Sequence, residues 1–509
     1  MTVQVPALIQ LSDLDNVAVA RSRIEAGQTV ASTVTRVLAV DAIDAGHKIA
    51  LQTIDAGEPV RKYGQIIGLA ARAIGAGEHV HVHNVDMVAS RAQPGAGADY
   101  RATQIKRDGA TFEGIVRPDG RVATRNFLGI IASVNCSATV CQRIAQHFTP
   151  QVLQDYPNVD GVVAITHGQG CGMASKGESM DVLRRTLQGY ADQPNFAGVL
   201  VIGLGCEVNQ VAGIVDGLAP RAPGLLATLK IQEAGGTREA IAAGIEALTA
   251  MLPMANQARR TTVSASHLVV GLQCGGSDGY SGISANPVLG AAVDLLVRHG
   301  GTAILSETPE IYGAEHLLTA RAASQAVADQ LMARLQWWEA YTATHGADMN
   351  NNPSPGNKAG GITTILEKSL GAVAKAGSTG LMAVYEYAQP VRTHGLVFMD
   401  TQGYDPVSAT GQVAGGANLI CFTTGRGSTY GCKPTPSLKL ATHSALFQRM
   451  RLDMDFDAGT VVEGSQTIAE AGQALFELML ATASGQQSSS ERNGLGDNEF
   501  VPWQLGAVM

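Results

Sequence analysis

Along this chain the apolar positions change rhythm twice. Through roughly the first 90 residues, short alternating runs (NVAVA, HKIALQTI, PVRKYGQIIGLA, HVHVHNV) are separated by glycine turns, AGQ, AGH, AGE and GAGE. Alternation with period two between such turns predicts a small, mostly β module over residues 1–90. Residues 91–112 are polar and rich in Gly and Ala, the composition of an interdomain linker. Beyond it, apolar runs of strand length alternate with helical stretches: NFLGIIASV then ATVCQRIAQHF, VDGVVAIT then MDVLRRTLQGYA, HLVVGL then PVLGAAVDLLVRHG. Continuous apolar strands separated by amphipathic helices predict parallel α/β layers covered on both faces. The reading is an α/β multidomain protein: a β module, an α/β domain at 113–261 and a second at 262–509. The polar stretch QQSSSERNGLGDNEF is expected to be a surface arm.

Composition narrows the function. The chain of 509 residues carries a net charge of −8 and no basic stripe, which argues against a nucleic-acid partner. It contains no run of about 18 apolar residues and no leader-like start, so neither a membrane span nor secretion is expected, and the cytoplasm is the expected compartment. Glycine reaches 59 residues where average usage of about 7% would give about 36, the mark of tight turns and backbone approaching ligands. Seven scattered cysteines favour reduced thiols over a disulfide framework.

Four of these cysteines, Cys136, Cys171, Cys206 and Cys274, each follow a predicted strand, at spacings of 35, 35 and 68 residues. Those intervals match one, one and two strand–helix units. In open α/β sheets ligands bind beyond the carboxyl ends of the strands, so the four thiols are expected to converge on one rim. The loops carry further chemistry: His167 in HGQGCG, Glu207 beside Cys206, Ser277 and Asp278 after Cys274, and Arg125 with Asn126 ahead of Cys136. Thiolates, an imidazole and carboxylates together suit iron, either mononuclear Fe²⁺ or an Fe–S cluster. A dinucleotide fingerprint and a P-loop are both missing, so NAD is not expected. Lys358 in NPSPGNKAGG and Arg426 in FTTGRGSTYG offer cations for carboxylates. The stretch HVHVHN adds His79, His81 and His83, which as a strand would share one face, either as a metal chelate or as polar lining.

The motifs GHKIAL, KYGQIIG, HVHNV, HGQGCG, GLGCE, QCGGSDGYSGISANP, NPSPGNKAGG and TGRG occur in this order over nearly the whole length. Together they resemble the altronate/galactarate dehydratase family. The resemblance implies an N-terminal β-clip (SAF-type) domain, two α/β domains, dependence on a divalent metal, usually Fe²⁺, and loss of water from a hexonate or hexarate. HVHN, PEIYGAEHLL and NPSPGNKAGGITT look more like altronate dehydratases; a galactarate dehydratase, a sulfolactate-type lyase and a non-catalytic sugar-acid or metal-binding protein are the alternatives.

For such a reaction, His167, Glu207 and Glu307 are the candidate bases. Arg125, Lys358 and Arg426 would meet carboxylates, and Asn126, Ser277, Asp278 and Asn357 hydroxyls. His47, Lys48, Lys62, Tyr63, His81 and His83 would face substrate from a β module acting as a lid. Galactarate-type relatives largely do without the histidine-rich strand, which favours a role in specificity for its imidazoles. Self-association into a homo-oligomer is expected.

Overall fold

The computed structural model describes residues 6–88 and 95–506. The N-terminal module is β throughout. Leu8–Ile9, Val17–Ala20, Lys48–Ala50 and His79–Val80 pair antiparallel in that spatial order, and Pro59–Lys62, Gln65–Ala70 and Val85–Asp86 form a second sheet. A motif I-x-A-G recurs four times, at Ile24, Ile43, Ile54 and Ile74. Each isoleucine is fully buried, pairing as Ile24 with Ile43 and Ile54 with Ile74, and each glycine turns the chain at φ between 82° and 87°. A side chain there would meet the left-handed penalty, so only glycine makes these turns without strain.

The chain then runs along the C-terminal domain, with Gly97, Asp99 and Lys106 donating backbone hydrogen bonds to Thr319, Ala320 and Arg298. The expected linker is therefore docked from residue 95 onward; residues 91–94 lie outside the described residues. A three-stranded antiparallel strap follows, in which Thr111–Val116 pairs with both Val122–Ala123 and Arg260–Ser264. It ties the two ends of the middle domain together.

That domain is a four-stranded parallel sheet in the order Gly161–Ile165, Phe127–Ala132, Phe196–Gly203, Leu226–Lys230. FAGVLVIG is buried at every position, as a continuous apolar run in an interior parallel strand requires. The C-terminal domain is a seven-stranded, all-parallel sheet. Its order is Leu381–Tyr385, Gly395–Met399, Thr302–Leu305, Val269–Cys274, Leu419–Thr424, Ser437–Ala441, Phe456–Asp457. The two α/β domains share one apolar core, in which helix Glu178–Ala191 packs on helix Asp405–Ala414. A Cβ at Gly189 would lie 2.2 Å from the carbonyl oxygen of Ala414, so glycine is what lets these helices touch. Among the described residues no helix is long and apolar enough to cross a membrane.

The tail is not the surface arm its polarity suggests. Ser488, Ser489 and Ser490 are buried, and Glu491 pairs with Arg125 at 2.5 Å. Trp503 stacks on Trp338 with ring centroids 5.4 Å apart and meets Trp337 edge-on at 5.7 Å. Serines capping a short helix, with an aromatic beyond them, read as polar in composition although they are held inside. Trp503→Ala is expected to cost about 3–5 kcal/mol. Because Trp337, Trp338 and Trp503 are the only tryptophans, intrinsic fluorescence in a denaturant titration would report both the loosened cluster and the lowered midpoint.

Candidate active site

In the seven-stranded sheet the chain builds outward on one side of Val269–Cys274 and later returns to build on the other, through Leu419–Thr424. The crevice beyond the carboxyl ends of these two neighbours is the topological switch point, where open α/β sheets bind ligands. The loops 275–284 and 425–436 rise from it, and the β module sits on top. Contact is at backbone distance: a Cβ on Gly279 would lie 1.9 Å from the carbonyl oxygen of Gly46.

A buried ionic triad fastens the module down. Lys48 Nζ donates to both oxygens of Glu367 (2.9 and 3.1 Å) and to the carbonyl of Gly361 (2.6 Å), and Lys62 Nζ donates to Glu367 at 2.9 Å. All three side chains are at most 2% exposed. Glu367 also accepts from Thr363 N and Oγ1. Burial would raise the Glu367 carboxyl, but the two ammoniums outweigh it and hold it far below the usual range. The triad has one cation too many, and the strain falls on Lys48: burial, reinforced by repulsion from Lys62, brings it down to about 8 against the pull of Glu367. Burial acts on Lys62 in the same direction, yet Glu367 and Tyr63 together keep it above its ordinary value. Lys48 and Lys62, expected to face substrate, here spend their ammoniums on the interface. Beneath them lies a cavity of about 10 Å³ lined by Tyr63, Ser277, Asp278 and Ser281, room for one water.

At the rim of this interface three imidazoles converge. His47, His79 and His81 each bring a ligand nitrogen within 4.8 Å of the others. His47 Nδ1 lies 3.0 Å from His79 Nε2, and His47 Nε2 lies 3.2 Å from the carbonyl of Ala359. The strand expected over HVHVH ends at Val80. Asn84 turns the chain back by accepting from His81 N and donating to the His79 carbonyl. The turn, not strand alternation, stacks the rings of His79 and His81 at 5.3 Å, while His83 stands exposed, 5.5 Å from His79. Burial holds His79 and His81 neutral, with pKa values lowered to about 4 and about 3. Neutral imidazoles are the form that binds a transition metal. His81 Nδ1 is buried with no hydrogen-bond partner. The trio fits a divalent ion.

A second cluster, Cys274, Glu307 and Glu310, also meets within 4.8 Å and is fully buried. It already holds its cations. Lys375 Nζ lies 2.8 Å from Cys274 Sγ and 2.9 Å from Glu307, and Lys368 Nζ lies 2.7 Å from Glu310. These two ammoniums offset the charge of Glu307 and Glu310, with the buried carboxyl of Asp405 close by.

The expected four-thiol rim does not form. Cys136, Cys171 and Cys206 lie exposed on three adjacent loops at the carboxyl edge of the middle sheet, and Cys274 is buried in the other domain. The 68-residue interval read as two strand–helix units instead spans an edge strand, the long helix Thr237–Ala255 and the strap, and so crosses a domain boundary. Among the described residues these thiols belong to no trio of converging ligands.

The candidate bases are likewise engaged. His167 Nε2 donates to the carbonyl of Ala132 and its Nδ1 accepts from Gln169 N, while burial lowers its pKa to about 4. Glu207 accepts from Ser133 Oγ and Gly205 N. Arg125 is consumed by Glu491 and the carbonyls of Thr124, Thr482 and Gln486, and Asn126 by the carbonyls of Asn158 and Ala255. These two residues, expected to face substrate, here bind the tail and the segments around Asn158 and Ala255.

Other expectations meet at the crevice. Asn357 closes a capping box with Ser354 and donates to the carbonyl of Ser277, which fixes the loop presenting Lys358. Asp278 accepts from Ser281 and Thr442, with His443 at 3.8 Å. Lys358 is half-buried, Arg426 is exposed, and neither has an ion-pair partner among the described residues. The sequence reading missed Glu367, Glu310, Lys368, Lys375 and His443. A Glu-Lys pair buried in ILEKSLGAV, on a helix buried at every position, was the available signal.

Comparison with known proteins bears on this architecture. The Altronate/galactarate dehydratase SAF domain matches residues 6–88. The D-galactarate dehydratase/Altronate hydrolase second domain matches 114–256, and the D-galactarate/Altronate dehydratase C-terminal domain matches 265–508. The chain belongs to the altronate/galactarate dehydratase family. It is 38% identical to the galactarate dehydratase (L-threo-forming) of Escherichia coli strain K12, over 96% of this chain and 95% of that one. It is 34% identical to the altronate dehydratase of Bacillus subtilis strain 168 (96% and 97%) and 36% identical to that of Escherichia coli (95% and 97%). Identity alone does not separate the two substrates named.

The triad makes a pH-dependent prediction for this family member. Lys48 has a lower pKa folded than unfolded, so between about pH 8 and 10.5 the unfolded chain holds more protons and Lys48 makes stability rise with pH. Lys48→Met should remove that rise. Glu367→Gln strands two buried ammoniums and should cost about 3–5 kcal/mol at pH 7. Guanidinium unfolding midpoints at pH 7 and 9.5 check both.

Proposed function

We propose that this enzyme is a hydro-lyase that removes water from a sugar acid, a hexonate or hexarate, giving a 2-keto-3-deoxy acid. Its reacting carbons lie at the imidazole trio where the SAF module meets the C-terminal sheet. Membership of the family supports dehydration. The single observation that carries the location is the convergence of three neutral imidazoles, one with an unpartnered buried nitrogen, beside loops bearing free cations. Fe²⁺ is the proposed metal, with His47, His79 and His81 as the residues that would hold it. Bound there, it supplies a Lewis acid for the charge that develops when the proton α to a carboxylate is removed.

The chain's own groups do the rest. Lys358 and Arg426 bind and orient the carboxylates. Ser277, Ser281 and Asp278 receive hydroxyls when the module lifts, since the closed cavity of about 10 Å³ is too small for a six-carbon acid. Module closure excludes water from the reacting carbons. His83, exposed and outside the trio, exchanges a proton with the substrate. Altronate is favoured because HVHN, PEIYGAEHLL and NPSPGNKAGGITT resemble the altronate branch.

The test combines metal analysis with turnover on anaerobically prepared protein. His47→Ala and His81→Ala should lose iron and activity together. His83→Ala should keep its iron while kcat falls by about 10²–10⁴. A Cys136→Ala/Cys171→Ala/Cys206→Ala triple variant should retain iron. Iron retained in the His47→Ala/His81→Ala double variant would place the metal elsewhere. Failure of the iron-loaded wild type to release a 2-keto acid from any hexonate or hexarate would end the dehydratase reading.

A further inference from the structure

Lys375, besides its pairing with Glu307, makes a short contact to the thiol of Cys274. Lys375 Nζ is 2.8 Å from Cys274 Sγ, and the two residues are 1% and 2% exposed. No other cysteine among the described residues has a lysine amine on its sulfur. Glu307 completes the set. Its Oε2 meets Lys375 at 2.9 Å, its Oε1 is buried with no hydrogen-bond partner, and its backbone is held at φ 67°, a left-handed conformation that costs a β-carbon-bearing residue energy. Strain kept at this position argues that the carboxylate has to point into the cluster.

We propose that Cys274 and Lys375 are an oxidation-sensitive pair that dioxygen or peroxide joins through a single bridging oxygen, Sγ–O–Nζ. The observed spacing accepts one interposed atom with little movement of either side chain, and is too wide for a direct sulfur–nitrogen bond. In the balanced step with dioxygen, the S–H bond and two N–H bonds of the ammonium break, and S–O and O–N bonds form. The thiol and amine together give up four electrons, and the second oxygen atom leaves as water. Of the protons released, two go into that water and the third passes to Glu307. The reaction is therefore electroneutral inside the core: one ammonium and one carboxylate become a neutral nitrogen and a carboxylic acid. Burial and the neighbouring acids Glu310 and Asp405 raise the proton affinity of Glu307 against the pull of Lys375, so the carboxylate takes up a proton once that ammonium is gone. The free Oε1 gives that proton a place to sit. Lys368 stays with Glu310, so the rest of the cluster keeps its pairing.

The bridge would join the carboxyl end of strand Val269–Cys274 to the 3₁₀ turn Ala374–Ala376, which ends the helix carrying Glu367. Loop 275–282, which lines the cavity, begins at the next residue. Oxidation is thus expected to stiffen the interface on which the SAF module must move, and to slow turnover until a thiol reductant reopens the bond. The covalent claim is independent of which acid the enzyme dehydrates.

Peptide mapping of the full-length protein, purified anaerobically and then exposed to air or hydrogen peroxide, tests it. The expected product is a linked pair of peptides containing Cys274 and Lys375, heavier than their sum by one oxygen and lighter by two hydrogens. It should revert with dithiothreitol, be absent in Cys274→Ser and persist in Cys421→Ser, which removes a buried cysteine lacking an amine neighbour. Separate peptides with Lys375 unmodified after peroxide treatment would overturn the proposal. So would a linked pair that has lost hydrogens without gaining oxygen.

Discussion

One carboxylate carries the architecture of the site. Glu367 lies almost wholly out of water between two lysines contributed by a different domain, and the β module has no comparable ionic anchor elsewhere among the described residues. A buried ion pair gains little net stability over apolar packing, because desolvation offsets most of the attraction. What it supplies is orientation. Lys48 is buried on a short strand directly after His47: pairing with Val80 inside the module puts His47 in reach of His79 and His81, and satisfying Glu367 brings it against the carbonyl of Ala359. The imidazole trio is thus seated against the C-terminal domain by a charge pair that touches none of its nitrogens.

The two α/β domains carry similar crevices put to different uses. Each sheet has a switch point, and each switch point gathers glycine-rich loops with chemically capable side chains. In the middle domain those side chains satisfy one another: His167 and Glu207 close onto nearby backbone and Ser133, and the loops are laced by Asn135 and Asn209. In the C-terminal domain the crevice stays chemically incomplete until the β module arrives with imidazoles and ammoniums. Whether a crevice becomes a site is decided by what another domain adds to it.

Much of this was legible in the sequence, for definable reasons. Alternation and glycine turns announced the β module, and unbroken apolar runs announced interior parallel strands, because both are local patterns. The motif loops bearing Ser277, Asp278 and Arg426 fell at strand ends, and the fold brings Asn357, on a short helix, to the carbonyl of Ser277. What failed was inference across domains. Near-periodic spacing of cysteines said nothing about the boundary between Cys206 and Cys274. The alternation of HVHVH promised a strand where Asn84 makes a turn. The polar tail concealed a seat for Trp503. Lys48 and Lys62 looked available for substrate because their partner, Glu367, stood some 300 residues away in an ordinary helical pattern.

That separation has a consequence for the life of the molecule. Glu367 lies 319 residues after Lys48, so at synthesis rates of about 5–20 residues per second it leaves the ribosome roughly 15–60 s after the lysine it must meet. The β module can close its own I-x-A-G core long before then, yet it carries two lysines and a histidine turn with nothing to bind. Docking is among the last long-range contacts to form. The enzyme therefore passes through a stage in which its first domain can be folded but has no partner to dock on. The three imidazoles all belong to that first domain, so what late docking adds is the crevice beneath them.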